Sequence, residues 1–338
     1  MSARAHRSAV VALLNSSRRP TDMKRKPRST ISLNANAQRS LKVSDSKGSE
    51  ASLFKGNCIK LMSKIATGSV DLVVTSPPYC MGKEYEREDS IEEFYHAHRV
   101  LLPEIVRITR PGGSICWQVG SHVEKSAVYP LDYAVFSILQ SMQEVTLRNR
   151  IIWTFGHGFH MSKRFSGRYE TILWFTKGDE YHFNLDAVRI PQKYPGKRHY
   201  RGPAKGKFSG NPLGKNPGDV WEIPNVKGNH IEKTDHPCQF PVALVQRLIK
   251  ALCPENGLVF DPFMGSGSTG VACLLEKRRF LGAELNGKYC KIAKQRLRDV
   301  KLGHAAIRPL DREIPSPSPN SPLAIVPSHF SWGGGKAH

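Results

Sequence analysis

The sequence predicts an α/β fold in which a mostly parallel sheet is covered by helices on both faces. Three observations carry that expectation. Strand-length apolar runs alternate with segments whose apolar residues recur at helical spacing, as buried parallel sheets require. Two of those strands end in loops of unusual chemistry, Thr75-Ser76-Pro77-Pro78-Tyr79 and Asp261-Pro262-Phe263-Met264-Gly265-Ser266-Gly267-Ser268-Thr269. In open α/β sheets the carboxyl ends of strands are where ligands bind. Finally, 338 residues suffice for a large buried core.

Taken in order, residues 1–48 carry 11 Lys+Arg and two acids, Asp22 and Asp45, and predict a disordered basic arm. That arm could touch DNA phosphates, precede an initiator at Met23, or be an Arg- and Ser-rich transit peptide. Residues 49–155 form the first half of the core. Asn57 to Ala66 has helical spacing, and Val70 to Thr75 is a strand that the prolines at 77 and 78 must end. A helix follows from about Ser90 to Thr109 with Glu92 and Glu93 in its first turn, closed by Arg110-Pro-Gly-Gly113. Then come a strand (114–119), a helix (133–142) and a strand (149–155).

Residues 156–222 read as a basic insertion carrying one core strand near 169–176. Between Pro191 and Asn216 it holds seven basic residues and no acid, interleaved with two Tyr and one Phe. Basic residues among aromatics suit contact with a nucleic-acid backbone and its bases. Lys193, Lys197, Arg198, Arg201, Lys205 and Lys207 are the candidates. The core resumes over 223–301, with a helix at 241–252, a strand at 257–260, a helix at 269–275 and a strand at 280–283. The Pro/Ser-rich stretch 302–338 predicts a flexible tail.

Charge narrows the partners. Against 50 Lys+Arg stand 29 Asp+Glu, a formal charge of +21, so a polyanion is expected: nucleic acid first, an acidic membrane surface second. No apolar run approaches the roughly 20 residues of a spanning helix. A cytoplasmic protein held at the nucleoid by DNA is the expectation. Seven cysteines without a CxxC pair predict reduced core thiols and no metal site.

Each loop has its own chemistry. The first offers the Ser76 hydroxyl, backbone carbonyls deprived of their ladder partners by proline, and the flat ring of Tyr79. Together these suit a planar group bearing hydrogen-bond donors, such as the exocyclic amino group of a nucleobase. The second is glycine-rich and lies between a strand and a helix start, where N–H groups are exposed. A second strand ends at Glu284, placed to bind a ribose hydroxyl pair, so a nucleoside-containing cofactor follows. The loop lacks the Lys-Ser/Thr of a phosphate-binding P-loop. Gly265-x-Gly267-x-x-Gly270 matches dinucleotide spacing, but the first loop and the charge fit a nicotinamide enzyme poorly.

These two motifs resemble those of the S-adenosylmethionine-dependent amino-group DNA methyltransferases. The catalytic loop precedes the cofactor loop, which resembles the circularly permuted β group, and His236-Pro-Cys-Gln-Phe-Pro241 resembles the segment that there closes over the methionine end. The similarity covers about residues 52–300. It implies a Rossmann-like methyltransferase with a target-recognition insertion. Ser76, Pro77, Pro78 and Tyr79 would be catalytic. Pro262, Phe263, Gly265, Ser266, Gly267, Ser268 and Thr269 would surround S-adenosyl-L-methionine, with Glu284 on the ribose, Asp261 near the methionine, and His236 and Gln239 closing the pocket.

Ser-Pro-Pro-Tyr is most typical of N4-cytosine enzymes in that family. The implied activity is therefore methylation of cytosine N4 in double-stranded DNA, as part of restriction-modification with a cognate endonuclease, by a monomer or homodimer. N6-adenine methylation and a non-catalytic DNA-binding relative are the alternatives. Pro237-Cys238-Gln239 spells the nucleophile motif of cytosine-C5 enzymes, but Cys238 precedes the cofactor loop and no Glu-Asn-Val partner exists, so it is not expected to attack the base.

Overall fold

The computed structural model describes residues 40–44, 50–79, 90–156, 158, 160–312, 318, 320 and 321. Among them eleven strands and six α-helices follow in order: β1 (Ser40–Ser44), β2 (Glu50–Lys55), α1 (Cys58–Met62), β3 (Val70–Thr75), α2 (Ile91–Ile108), β4 (Thr109–Val119), β5 (Ser121–Glu124), β6 (Ala127–Pro130), α3 (Leu131–Gln140), β7 (Val145–Thr154), β8 (Tyr169–Lys177), β9 (Val220–Glu222), α4 (Val242–Leu252), β10 (Leu258–Asp261), α5 (Ser268–Leu275), β11 (Arg279–Glu284) and α6 (Gly287–Leu302). Nine strands form one sheet in the order β1-β2-β11-β10-β3-β4-β8-β7-β9, while β5 and β6 make a separate hairpin. The five strands from β2 to β4 in that order run parallel. β8 is antiparallel to both β4 and β7, and β9 is parallel to β7.

Strand alternation separates the two faces. Leu72, Val74 and Cys116 pack in one apolar cluster with α4, α5 and α6. Trp117, one residue on, meets His98 of α2 on the opposite face, where its indole N–H donates to His98 Nε2 at 3.3 Å. Burial holds that imidazole neutral, its pKa down to about 4. Every residue of β3 is buried, so Asp71 needs partners inside. Its carboxylate accepts from Arg110 Nε and from the Leu258 N–H, each at 2.7 Å, which ties β4 and β10 to β3.

Several expectations shift at their edges. Ser40–Ser44, expected within the basic arm, pairs antiparallel with β2 as an edge strand. Its Ser-Leu-Lys-Val-Ser alternation is too short and polar to stand out from the Ser-rich residues before it; residues 1–39 lie outside the described ones. Arg110-Pro-Gly-Gly113 does not merely close α2: the helix ends at Ile108 and these residues already belong to β4. The flexible tail expected from 302 does not hold over 303–312, because Ile307 and Leu310 pack on the core and the Arg308 N–H donates to Glu232 Oε1 at 3.1 Å. Among the described residues no helix is long and apolar enough to cross a membrane.

Candidate active site

β3 and β10 are sheet neighbours, with Val259 opposite Leu72 and Phe260 opposite Val73, so both loops leave the same sheet edge side by side. Asp261 locks them together. Its carboxylate, fully buried, accepts from Thr75 Oγ1 at 2.7 Å, from Thr269 Oγ1 at 2.6 Å and from the Phe263 N–H at 3.0 Å. Burial pushes its pKa up to about 6 in spite of these donors. Thr75 ends the first strand and Thr269 lies in the first turn of α5, so one side chain sets the spacing of the two loops.

Between the loops lies a cavity of about 650 Å³. Ser76, Pro77, Pro78 and Tyr79 form one wall, and Ala97, Val100 and Leu101 of α2 form an apolar one. Ser76 Oγ and Tyr79 Oη are 2.8 Å apart, and Tyr79 Oη donates to the Gln118 carbonyl at 3.3 Å, which fixes the ring. Facing them are Pro262, Phe263, Gly265, Ser266 and Ser268. Glu284 also lines the cavity: its Oε2 accepts the Gly265 N–H at 3.1 Å and its Oε1 the Asn286 N–H at 2.7 Å. Each oxygen keeps lone pairs for a further donor. Burial raises its pKa.

Both loop glycines are needed. Gly265 has φ +48, and a Cβ there would lie 2.8 Å from His236 Nε2; Gly267 has φ +81, and a Cβ would lie 2.8 Å from the Ala293 methyl. His236 thus covers the glycine turn, edge-on to Tyr289 with ring centroids 4.3 Å apart. Gln239 holds that covering segment in shape, accepting from Thr234 Oγ1 at 2.9 Å and donating to the Glu232 carbonyl at 2.8 Å.

Of the expected cofactor residues, Asp261, Gly267 and Thr269 do not line the cavity. They act behind it: Asp261 and Thr269 bond to each other, and Gly267 makes room for α6. Cys238 is exposed and lines the cavity, on the same covering segment as His236. The six basic candidates of the insertion are all exposed. Arg198 is the most constrained, stacked 4.1 Å over the Phe208 ring and donating to the Gly206 carbonyl at 2.6 Å.

Sequence reasoning missed a second lock. Arg296 of α6, part-buried, donates from Nη1 to the Ser266 carbonyl, to Ser266 Oγ and to Ser268 Oγ at 3.0, 3.3 and 3.0 Å. Its other nitrogen lies 4.0 Å from Glu232, which also accepts the Val242 N–H at the start of α4. The signal was available: Tyr289, Ala293 and Arg296 follow one another at helical spacing on α6, and a charge beside a buried stripe calls for a partner. Asn57, Cys58 and Ile59 at the start of α1, and Asn286 and Tyr289, line the cavity too. No local motif distinguishes them from ordinary helix starts.

Residues 70–295 match the family model of N6/N4 DNA methylases. The chain belongs to the N6/N4 DNA methylase family. A type II methyltransferase, M.BglII of Bacillus subtilis, is 45% identical over 72% of this chain and 68% of its own. The DNA adenine methyltransferase YhdJ of Escherichia coli K12 is 30% identical over 77% of this chain and 86% of its own. Among solved structures, the cytosine-N4-specific PvuII DNA methyltransferase superposes with a TM-score of 0.59 at 18% identity, over 75% of this chain and 91% of that one. A DNA modification methylase of Thermus thermophilus complexed with S-adenosyl-L-methionine superposes at 0.52 with 26% identity, over 77% and 99%.

The methylase is thus an S-adenosylmethionine-dependent DNA amino-group methyltransferase of the restriction-modification type with a Rossmann-like fold. The residues present fit that cofactor. A carboxylate with spare acceptor capacity faces the cavity, the glycine turn leaves backbone open to a ligand, and Phe263, His236 and Tyr289 supply apolar surface beside them.

Proposed function

We propose that this methylase acts on the exocyclic N4 amino group of cytosine in double-stranded DNA. The observation that carries the reading is the Ser76 hydroxyl at the cavity wall, a neutral acceptor tied to Tyr79 Oη at 2.8 Å. Such a loop is typical of the N4-cytosine members that the sequence resembles.

Cytosine's amino lone pair is delocalised into the ring, so it attacks poorly while the group stays planar. Ser76 Oγ and the Pro77 carbonyl accept its two hydrogens and draw the nitrogen towards tetrahedral geometry, freeing the lone pair. S-adenosylmethionine, when bound, supplies an electrophilic methyl group. Positioning provides most of the acceleration, and no covalent bond to the enzyme forms. Tyr79, its hydroxyl already held, presents its ring to the base. The methylated nitrogen then sheds its extra proton to solvent, since neither neutral hydroxyl is basic enough to hold it.

A paired base cannot enter this cavity, so the target is flipped out of the duplex at a cost of a few kcal/mol. The exposed Lys193, Lys197, Arg198, Arg201, Lys205 and Lys207 hold phosphates around the site, with 156–222 serving as the target-recognition region. His236 and Gln239 shape the segment over the cofactor turn. The resemblance to an adenine methyltransferase at 30% identity favours a second reading, N6-adenine, since a neutral hydroxyl can receive that amino group as well.

Purified protein incubated with unmethylated duplex DNA and S-adenosylmethionine, then digested to nucleosides for mass spectrometry, separates the two. N4-methylcytosine is expected. N6-methyladenine would overturn the base assignment, and no methylated nucleoside with cofactor binding intact would overturn the DNA substrate.

A further inference from the structure

The loop joining β7 to β8 puts an aromatic ring where a folded protein gains nothing from it. Phe165 is 101% exposed, outside the apolar core. The loop is nevertheless shaped: the Phe155 N–H donates to the Arg168 carbonyl at its base, and the Met161 N–H to Ser166 Oγ at its tip, both at 3.0 Å. Residues 156–168 contain Lys163, Arg164 and Arg168 and no acid. A bare ring on a basic, internally braced loop needs a partner that is both anionic and aromatic, which describes DNA.

Its place in the fold says which part of DNA. Trp117 of β4 pairs with Thr75, and Val119 of β4 pairs with Thr171 of β8, so the base of this loop rises from the same sheet edge as Ser76–Tyr79. Direct contacts connect the two. Tyr79 Oη bonds to the Gln118 carbonyl, and the Gln118 side-chain amide bonds to Glu170, two residues from the loop. A Cβ on Gly120 would lie 3.5 Å from the Tyr79 ring and 3.6 Å from Glu170, so ring and carboxylate flank the same glycine.

We propose that Phe165 is the wedge that enters the base stack when the target base leaves it. The proposal rests on the reading that the target is flipped from a duplex. Extrusion leaves a gap with two unstacked neighbours, and an apolar ring inserted there restores stacking; other DNA-bending proteins insert Phe between base steps in this way. Lys163 and Arg164 beside it hold the phosphates of the opened step.

The test uses the full-length enzyme and a duplex carrying the site mapped from its own methylation products, with the target base either matched or mispaired. Phe165→Ala should slow methylation of the matched duplex roughly tenfold to a hundredfold, the factor that aromatic–base stacking supplies. The loss should shrink on the mispaired duplex, where the base is already partly unstacked. Phe165→Leu, which keeps a wedge, should retain most of the rate. Because the ring is fully exposed, S-adenosylmethionine affinity by calorimetry should be the same for all three proteins. Wild-type rates for Phe165→Ala on the matched duplex would overturn the wedge, as would an equal loss on both duplexes. A wild-type enzyme inert on every duplex would overturn the underlying reading as well.

Discussion

Thr75→Val tests whether the two halves of the site are held by one buried carboxylate. The substitution keeps the shape of a fully buried side chain and removes the hydroxyl that donates to Asp261 Oδ1 at 2.7 Å. A hydrogen bond to an ionised group contributes about 1.5–3 kcal/mol and a neutral one about 1 kcal/mol. The loss must therefore depend on the protonation of Asp261, whose carboxyl sits at about 6 in the folded chain against an ordinary 3.8.

The sign follows from that displacement. A carboxyl raised on folding binds its proton more tightly in the folded state, so stability from this group is lost as pH rises from about 4 through about 6. Removing a donor to the charged form raises the folded pKa further and deepens that loss. Urea unfolding should show Thr75→Val less stable by about 2 kcal/mol near pH ~8 but only about 1 kcal/mol near pH ~5. That difference of about 1 kcal/mol corresponds to a further rise of a little under one pKa unit. The urea slope should be unchanged. A penalty that is the same at both pH values, or larger in acid, would refute the lock.

Other perturbations address single parts of the site. Ser76→Ala should cut turnover by about 2 kcal/mol of barrier, roughly thirtyfold, with S-adenosylmethionine affinity intact by calorimetry; unchanged turnover would remove Ser76 from the chemistry. Arg296→Lys keeps the charge but its ammonium ends one bond short of the Nη1 position that contacts Ser266 and Ser268, so cofactor affinity should fall about tenfold without loss of DNA binding. Unaltered cofactor affinity would make Arg296 a scaffold residue only. His98, lowered on folding from 6.5 to about 4, costs stability as pH falls through that window, because only the unfolded chain takes the proton: about 3 kcal/mol in all. His98→Asn should therefore lose less stability than the wild type between those pH values, and parallel curves would contradict it. Lys197→Ala and Arg201→Ala should each reduce the slope of log affinity against log salt by about 1, and an unchanged slope would release that residue from phosphate contact.

What the sequence made legible was the chemistry that must sit at strand ends. Two prolines after an apolar run can only terminate a strand, and a glycine turn between a strand and a helix start can only be a tight, ligand-accessible corner. Both motifs reach the same cavity because β3 and β10 are sheet neighbours, a fact of topology that no local pattern states. Asp261 was legible as important but not in its role. Its neighbours in sequence suggest a ligand contact, whereas its bonding partners Thr75 and Thr269 come from two different elements and turn it inward. The edge strand β1 and the packed segment 303–312 were hidden for a related reason: each is short and owes its order to distant residues, β2 in one case, and Glu232 and the apolar core under Ile307 and Leu310 in the other.

Those observations also explain why the cofactor turn can carry buried charge. An isolated ionised group in such a place costs several kcal/mol, and a buried pair breaks even only when its remaining hydrogen-bonding capacity is used. Glu232 meets that condition by accepting the Val242 and Arg308 N–H groups besides facing Arg296; Arg296 meets it in part, Nη1 reaching three acceptors on the cofactor loop while the buried Nη2 has no hydrogen-bond partner among the described residues. The loop is therefore braced from behind twice, through Asp261 to the catalytic strand and through Arg296 to the segment that covers the glycine turn. Backbone at Gly265 stays open to a ligand because rigidity comes from residues that do not enter the cavity. Substitutions at Asp261, Glu232 or Arg296 should accordingly act on binding and turnover through loop position, whereas substitutions at Ser76 or Glu284 act by removing a contact.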